Sequence, residues 1–331
     1  MSAGPGDSES WHLHTLLDQS PGFNALSDSL CELVDEGHPI VAATADLKYS
    51  NGLVSFQRRQ PERFLQFGIS EQNMVSAAAG MAASGMRPHV ATFASFLALL
   101  CCEQIRTDIA YTGLPVRLIG HHAGITLGFY GSSHHATEDL AIMRAIAGLE
   151  VVAPADPTQL GQALRAYATT DGPVYFRIGR GREPDVYAGT DTVFERGRAI
   201  HHGSGGDLTI IATGSMVHPS LAAAAALRAE GIAIGVIDMH TIKPLDVEAV
   251  VSAAASTRVM TVEEHNVIGG LGGAVAEVMA QEGCATRLHR HGIADTYSLI
   301  GPPTHLYAHY RLDAEGIAAQ AREVLAADES P

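Results

Sequence analysis

Short apolar strands alternate with helical segments along this sequence, and that alternation constrains the fold more than any other feature. The first half of the chain contains five short apolar runs that are predicted to be strands: 39–44, 89–93, 116–120, 150–154 and 173–177. Helical spacing of apolar residues separates them, as in 23–34, 71–83, 95–111, 137–147 and 158–169. Strands that alternate with helices are typical of a parallel, doubly wound sheet. The sequence therefore predicts an α/β fold.

The same alternation resumes after residue 207 and predicts a second doubly wound α/β domain. Its predicted strands are 208–213, 234–238 and 258–262, and its predicted helices are 219–230, 246–255, 271–281 and 315–327. Residues 181–206 are rich in glycine and charged residues and show no apolar periodicity. This pattern predicts a linker that contains a strand or hairpin. The predicted organisation is a flexible tail (1–22), a first domain (23–180), the linker (181–206) and a second domain (207–331).

Charge and composition exclude several classes of function. The net charge is −15, from 21 Lys and Arg against 36 Asp and Glu, and no basic cluster occurs, so we expect neither a nucleic-acid nor a membrane partner. The sequence has no uncharged apolar run of about 18 residues and no secretory signal. Its four cysteines show no CxxC spacing, which favours reduced thiols in a cytoplasmic protein.

The most informative segment is Phe67–Met74, with the sequence F-G-I-S-E-Q-N-M. It places the carboxylate of Glu71 at the start of a helix, directly after a strand and a glycine. Taken alone, an acidic residue in a first helical turn indicates only a favourable interaction with the helix dipole. Phe93 and Phe96, at the next strand-to-helix junction, would alone indicate core packing.

Together these segments resemble the pyrimidine-binding domain of the transketolase family. The family patterns G-I-x-E-x-N-M, T-F-x-x-F and T-H-x-x-x-E-D occur here in order at 68–74, 92–96 and 133–139, the third with Ser for Thr. Other segments also match the family: 45–51, 153–157, 172–177, 212–215, 261–266 and 269–273. Each motif alone is weak, but the ordered set, which covers about residues 23 to 326, is specific. The resemblance implies a transketolase pyrimidine-binding domain followed by a transketolase C-terminal domain.

The resemblance also implies thiamine diphosphate as the cofactor. Glu71 matches the catalytic carboxylate that shares a proton with the pyrimidine ring of the cofactor. That proton favours the imino form of the neighbouring amino group, which then deprotonates the thiazolium carbon to give the reactive ylide. Phe93 and Phe96 match rings that pack on the aminopyrimidine, and Leu99 stands where the family often has a third aromatic residue. Asp46 matches a residue near the cofactor at a subunit interface.

Five positions match substrate contacts of the family. His134 matches a catalytic histidine that polarises donor or acceptor oxygens, and His122 lies at the spacing of a histidine that contacts substrate phosphate. Ser50 and Arg177 match two further phosphate contacts, although Arg177 could equally be a structural ion-pair partner. Tyr130 stands where transketolases carry an aspartate that recognises a donor hydroxyl, so the usual ketose donor is in question.

The sequence lacks one half of the family's cofactor site. Transketolases hold the diphosphate through magnesium with a G-D-G motif and a downstream asparagine, and no G-D-G occurs here. The resemblance therefore implies a separately encoded, diphosphate-binding partner subunit that carries this motif and holds the magnesium. No metal ligands are expected in this chain, which would be the β chain of an α2β2 heterotetramer.

Three functions remain open. A split transketolase would move a two-carbon ketol unit between sugars, and the motifs around Glu71 and His134 favour it. A relative that decarboxylates pyruvate or another 2-oxo acid, as an acyl transferase or a dehydrogenase β subunit, is favoured by Tyr130. A scaffold without catalytic function has no need of Glu71, Phe93, Phe96 and His134 together. In the second domain, Glu263, Glu264 and His265 are expected to be structural.

Overall fold

The structure is a computed structural model that describes residues 21–327, so residues 1–20 of the predicted tail lie outside the described residues. The strands of this part of the chain are β1 (Ile40–Thr44), β2 (Phe64–Gln66), β3 (Arg87–Phe93), β4 (Arg117–His121), β5 (Glu150–Val152), β6 (Val174–Arg177), β7 (Ile200–His202), β8 (Leu208–Ala212), β9 (Ile234–Asp238), β10 (Thr241–Lys243), β11 (Arg258–Asn266) and β12 (Leu288–Ile293). Its α-helices are α1 (Ala25–Asp35), α2 (Val54–Arg59), α3 (Glu71–Ala83), α4 (Cys102–Gln104), α5 (Asp139–Ala145), α6 (Pro157–Ala166), α7 (Val217–Ala229), α8 (Val247–Ser256), α9 (Leu271–Gln281), α10 (Pro303–His309) and α11 (Ala314–Ala327).

The first sheet has seven strands in the order β10-β5-β6-β4-β3-β1-β2. The strands β1 to β6 run parallel, and β10 pairs antiparallel with β5 at the edge. Strands β1, β4 and β6 are buried along their whole length, as expected where helices cover both faces of a parallel sheet. The predicted α/β fold of the first domain is confirmed.

The second sheet has five strands in the order β12-β11-β8-β9-β7, in which β7 pairs antiparallel with β9. The strand expected within the linker is therefore β7. Strand β10 follows β9 in the chain yet joins the first sheet, so the division between the two sheets does not follow the chain order. The domain boundaries at 180 and 206 stay predictions.

Helices α3 and α9 begin and end at the predicted residues. The segment 95–111 is helical as predicted, but α4 lies between two π-helical segments, Phe96–Leu100 and Ile105–Ala110. Strand β12, with the sequence L-H-R-H-G-I, was not predicted because it lies at a sheet edge, where polar residues are tolerated. Among the described residues, no helix combines the length and apolarity required to cross a bilayer.

Candidate active site

The predicted site residues follow strands of the first sheet at one edge. Asp46 follows β1, Glu71 follows β2, Phe93 ends β3, and His122 follows β4. Because these strands are parallel, their carboxyl ends lie at the same edge, which is where ligands bind in open α/β sheets. The fold therefore explains why residues far apart in sequence share this edge.

Glu71 is the first residue of α3 and is only 8% exposed. The turn before it passes through Gly68 at φ 67°, a conformation that glycine adopts without strain. The neighbouring Gln72 donates its side-chain amide to the backbone oxygen of Leu100 at 2.9 Å. Burial, with a smaller effect from the nearby Glu71 carboxylate, raises the pKa of Cys101 to about 12. Helix α3, which begins at Glu71, thus packs against the π-helical segment that carries Phe96.

Five aromatic side chains form a cluster, called the ring cluster below: Phe93, Phe96, His122, Tyr130 and His134. The ring centroids of Phe93 and Phe96 are 5.6 Å apart, and His134 lies 5.9 Å from Phe93 and 5.2 Å from Phe96. His122 packs on Phe93 at 4.9 Å, and Tyr130 packs on His134 at 4.9 Å. The structure therefore brings together two predicted cofactor contacts and three predicted substrate contacts.

His134 has contacts that fix both its backbone and its ring. Its backbone oxygen accepts a hydrogen bond from the Ser95 hydroxyl at 3.1 Å, and its Nδ1 lies 2.9 Å from the Ser133 hydroxyl. Burial lowers the pKa of His134 below its ordinary value, which favours the neutral ring. A neutral imidazole has one donor and one acceptor nitrogen, which suits contacts to carbonyl or hydroxyl oxygens.

His122 forms a buried pair with His121. The backbone N–H of His122 donates to Nδ1 of His121 at 3.0 Å, so that nitrogen is an acceptor. The two Nδ1 atoms are 2.6 Å apart, and the proton between them must therefore sit on His122. Burial, reinforced by the electrostatic interaction with His121 and by the positive charge of Arg180, holds the pKa of His122 well below its ordinary value. The neutral His122 ring keeps its Nε2 lone pair as an acceptor.

Arg177 is buried in contacts with Asp139 and with two backbone oxygens. Its side chain is 4% exposed, and its Nε donates to Asp139 at 2.9 Å. Its Nη2 donates to the backbone oxygens of Ala136 and Glu264 at 3.2 and 2.8 Å. The guanidinium is thus used in contacts within the protein, which favours the ion-pair alternative over a phosphate contact.

The remaining predicted site residues, Leu99, Asp46 and Ser50, are exposed or half-buried. Leu99 is 53% exposed on the π-helical segment beside Ile69 and Leu100, which are also exposed. Asp46 is exposed with φ 60°, and its backbone N–H donates to the side chain of Gln66 at 2.7 Å. Ser50 is half-buried in the turn after β1. Ile69 lies two residues before Glu71, and Leu100 accepts a hydrogen bond from the neighbouring Gln72, so exposed apolar side chains lie close to the start of α3.

The loop that carries Tyr130 and His134 is held by the second domain, which sequence reasoning missed. The buried Glu264 accepts a hydrogen bond from the backbone N–H of Ile125 at 2.6 Å. It also accepts from the hydroxyls of Ser215 and Tyr307 at 2.7 and 3.0 Å. A Cβ on Gly124, at φ 65°, would meet this carboxyl group at 2.2 Å. Only glycine fits that close approach.

Neighbours of Glu264 support the expected structural role of this segment. Glu263 accepts the backbone N–H groups of Leu271 and Gly272 at 2.7 and 2.8 Å, which anchors the start of α9. His265 is buried, and its Nδ1 lies 2.7 Å from the backbone oxygen of Asn266. These contacts position the backbone of the turn before α9.

Arg180 is a second residue that sequence reasoning missed. It is half-buried, its Nη1 donates to the backbone oxygen of Thr126 at 3.3 Å, and its charge helps to lower the pKa values of both His121 and His122. It therefore places positive charge beside the histidine pair. The sequence signal that could have indicated Arg180 was its position three residues after Arg177, just beyond the end of β6.

Comparison with known proteins identifies the family of the chain. The family model of the transketolase pyrimidine binding domain matches residues 22–184, and that of the transketolase C-terminal domain matches residues 197–317. The chain belongs to the transketolase family. It contains the family's pyrimidine-binding and C-terminal domains, as predicted from the motifs.

Relatives of similar length are single subunits of transketolases. The chain is 38% identical to one subunit of the apulose-4-phosphate transketolase of Phocaeicola vulgatus, over 90% of this chain and 96% of the relative. It is 39% identical to 6-deoxy-6-sulfo-D-fructose transketolase subunit SqwH of a Clostridium species, over 90% and 92%. A solved structure described as a split gene transketolase, inactive beta4 tetramer, superposes with a TM-score of 0.84 at 40% identity, covering 92% of this chain and 97% of that one. The chain corresponds to the second chain of a split transketolase.

Proposed function

We propose that this chain is the β-type subunit of a two-component, thiamine-diphosphate-dependent, transketolase-like transferase. It would transfer a two-carbon ketol or acyl unit together with a partner subunit. The observation that carries the proposal is the ring cluster together with the nearly buried Glu71 at the start of α3, the helix that packs on the segment Phe96–Leu100, in a chain whose relatives are named as transketolase subunits.

The residues present fit the pyrimidine half of thiamine diphosphate. Phe93 and Phe96 offer apolar ring surface for a planar heterocycle, and the nearly buried Glu71 offers one carboxyl group to a ring nitrogen. The bound cofactor supplies a carbon nucleophile that this chain lacks. Glu71 would hold and return the proton at the ring nitrogen, and His134 would hydrogen-bond the oxygens of the substrate.

The diphosphate half requires a second chain. With no G-D-G motif in this sequence, magnesium and the diphosphate would be held by a partner with the G-D-G and downstream asparagine. The exposed apolar surface around Leu99, Leu100 and Ile69 lies next to Glu71, where a partner that delivers the cofactor has to sit. We propose an α2β2 assembly in the cytoplasm, consistent with the four cysteines being free thiols.

Reconstitution with the partner tests this proposal. The chain alone should bind thiamine diphosphate weakly or not at all by calorimetry, with or without magnesium, because it provides only the pyrimidine contacts. Addition of the partner subunit should produce magnesium-dependent binding and turnover of a ketose or a 2-oxo acid. Tight, magnesium-dependent binding by the chain alone would contradict the proposal, and so would a partner complex that binds the cofactor but transfers no carbon unit.

Tyr130 and His122 indicate which kind of donor substrate the enzyme would use. Tyr130 is 51% exposed and packs on His134, so it occupies the space beside the histidine as a neutral group where transketolases have an aspartate. His122, with an acceptor Nε2, is suited to a substrate hydroxyl rather than to a phosphate oxygen, which requires a donor. We therefore propose an altered donor, either a deoxygenated or unphosphorylated ketose or a 2-oxo acid.

A donor panel tests the role of Tyr130 in the reconstituted enzyme. Tyr130→Asp should raise kcat/KM for xylulose 5-phosphate by a factor of about ten or more, because it restores a charged acceptor for the donor hydroxyl. Tyr130→Phe is the matched control, since it keeps the ring on His134 and removes only the hydroxyl. If the wild type already prefers xylulose 5-phosphate and Tyr130→Asp brings no gain, Tyr130 does not control the donor.

The same panel separates the two classes of reaction. Turnover of pyruvate or another 2-oxo acid with release of carbon dioxide would favour the decarboxylating alternative, which Tyr130 supports. Turnover of a ketose with transfer of a two-carbon unit to an aldose would favour the transketolase alternative, which the names of the relatives support.

A further inference from the structure

The connection between β12 and α10 contacts the loop of the candidate active site. It comprises residues 294–302 and lies in the C-terminal domain of the family, which contains none of the predicted site residues. The loop, called the substrate loop below, comprises residues 124–136 of the pyrimidine-binding domain and carries Tyr130 and His134. Two side chains of the connection reach this loop at different points.

Ser298 is the first of these side chains. It is buried, and its hydroxyl forms a hydrogen bond with Nδ1 of His135, which is also buried. Its backbone oxygen accepts the hydroxyl of Ser132 at 3.4 Å. Burial lowers the pKa of His135 below its ordinary value, which favours a neutral ring that shares one proton with the serine hydroxyl. Ser298 thus orients the ring of the residue that directly follows His134.

Ile300 is the second of these side chains. Its Cγ1 and Cδ1 atoms lie against Gly131, where an added Cβ would meet both atoms at 2.8 Å. In the same turn, the backbone N–H of Gly301 donates to the backbone oxygen of Gly128 at 3.4 Å. Although Ile300 is 68% exposed, the end of its side chain therefore packs on the residue that directly follows Tyr130.

Backbone hydrogen bonds within the loop connect both contacts to His134. The backbone oxygen of Gly131 accepts the N–H groups of His134 and His135 at 2.9 and 3.0 Å. A shift of the turn at Gly131, or a rotation of the His135 ring, would therefore displace the backbone that carries His134. Tyr130 packs on the His134 ring at 4.9 Å, so the two rings would move together.

From these contacts we propose that Ser298 and Ile300 are positioning residues that set the donor specificity of the enzyme. The inference rests on the proposed function, because donor choice exists only in the reconstituted enzyme. Each residue acts by holding the backbone from which Tyr130 and His134 extend, and neither has to touch the substrate. A displacement of about 1 Å in groups that orient a substrate costs up to about 100-fold in rate. The C-terminal domain would thus influence the choice of donor without providing a reacting group.

Ser298→Ala in the reconstituted enzyme tests the inference through two separate steps of the reaction. It should lower kcat/KM for the donor that the wild type prefers by a factor of about five or more, because His134 is no longer held in place for the substrate oxygens. Hydrogen–deuterium exchange at the reactive carbon of thiamine diphosphate, measured without donor, should stay within about twofold of wild type, because that step depends on Glu71. Loss of the fold or of the partner complex would slow both steps.

Matched variants separate positioning from a general loss of structure. Ser298→Thr keeps the hydroxyl and should restore most of the lost kcat/KM. Ser220→Ala removes a buried hydroxyl that has no hydrogen-bond partner among the described residues, and it should leave kcat/KM unchanged. Ile300→Ala should change the ratio of kcat/KM between the two best donors by a factor of about three or more. Ile268→Ala, the same substitution at another exposed isoleucine, should leave that ratio unchanged.

Amide hydrogen exchange of the full-length chain alone tests the same contacts without partner or substrate. Measured by mass spectrometry, exchange in residues 128–136 should be at least about threefold faster in Ser298→Ala and Ile300→Ala than in wild type, and unchanged in the two controls. Unchanged exchange in all variants would overturn the inference and leave the proposed function intact. Faster exchange with an unchanged donor ratio would also overturn it, because the contacts would then be only structural. Absence of carbon transfer by the wild-type complex would instead reject the proposed function and the inference with it.

Discussion

Glu71→Gln should lower turnover of the reconstituted enzyme by a factor of hundreds or more while leaving the fold and the partner complex intact. The amide keeps the size and one acceptor oxygen of the side chain but cannot hold and return a proton. Because Glu71 is the first residue of α3 and nearly buried, we expect no water-exposed group to take over its role. Hydrogen–deuterium exchange at the reactive carbon of thiamine diphosphate, followed by NMR after an acid quench, should slow in parallel with turnover.

A matched control separates proton transfer from helix electrostatics. Glu315 also lies in the first turn of a helix, α11, but it is exposed, and that helix carries no residue of the predicted site. Glu315→Gln removes the same interaction with a helix dipole, worth about 0.3–1 kcal/mol, and should leave turnover unchanged. If deuterium exchange in Glu71→Gln proceeds at the wild-type rate, the carboxylate has been assigned to the wrong residue.

Local sequence signals were sufficient to predict the position of Glu71. The turn through Gly68 and the apolar spacing from Met74 onward set where α3 begins, and β1 and β3 are short apolar runs with clear ends. Because parallel strands place their carboxyl ends at one edge, the location of Glu71, Phe93 and Phe96 at the same edge of the sheet also follows from the predicted fold. The resemblance to the transketolase motifs then predicted a chemical role for each of these positions.

Contacts over long sequence distances were not predictable in this way. Glu264 binds the N–H of Ile125, 139 residues away, and nothing in either local sequence indicates the pairing. The proton shared by His121 and His122 depends on their backbone, which at His122 has φ 57°. The sequence could not assign strand β10 to the first sheet, because only its pairing with β5 in the structure shows that it belongs there. Local patterns specify elements, whereas partners require the packed structure.

The contacts of Arg177 distinguish an ion-pair role from a role in substrate binding. We expect the substitution of Arg177 to have the largest effect on the free energy of unfolding. Arg177→Met leaves Asp139 charged and buried, with only the Tyr175 hydroxyl, at 2.8 Å, still donating to it. Breaking a buried ion pair on one side costs about 3–5 kcal/mol. Urea unfolding at matched protein concentration should show this loss. Arg165→Gln, at an exposed arginine paired with Glu36, should cost less than about 1 kcal/mol.

A double substitution then separates the ion-pair role from a substrate role. In Arg177→Met with Asp139→Asn, the uncompensated charge is gone and the asparagine still accepts from Tyr175, so more than half of the lost stability should return. If Arg177 is only an ion-pair partner, the double variant in the reconstituted enzyme should keep KM for a phosphorylated donor within about threefold of wild type. A stable double variant whose KM rises for phosphorylated but not for unphosphorylated donors would instead show that Arg177 contacts the substrate phosphate, since restored stability removes the structural explanation for the change.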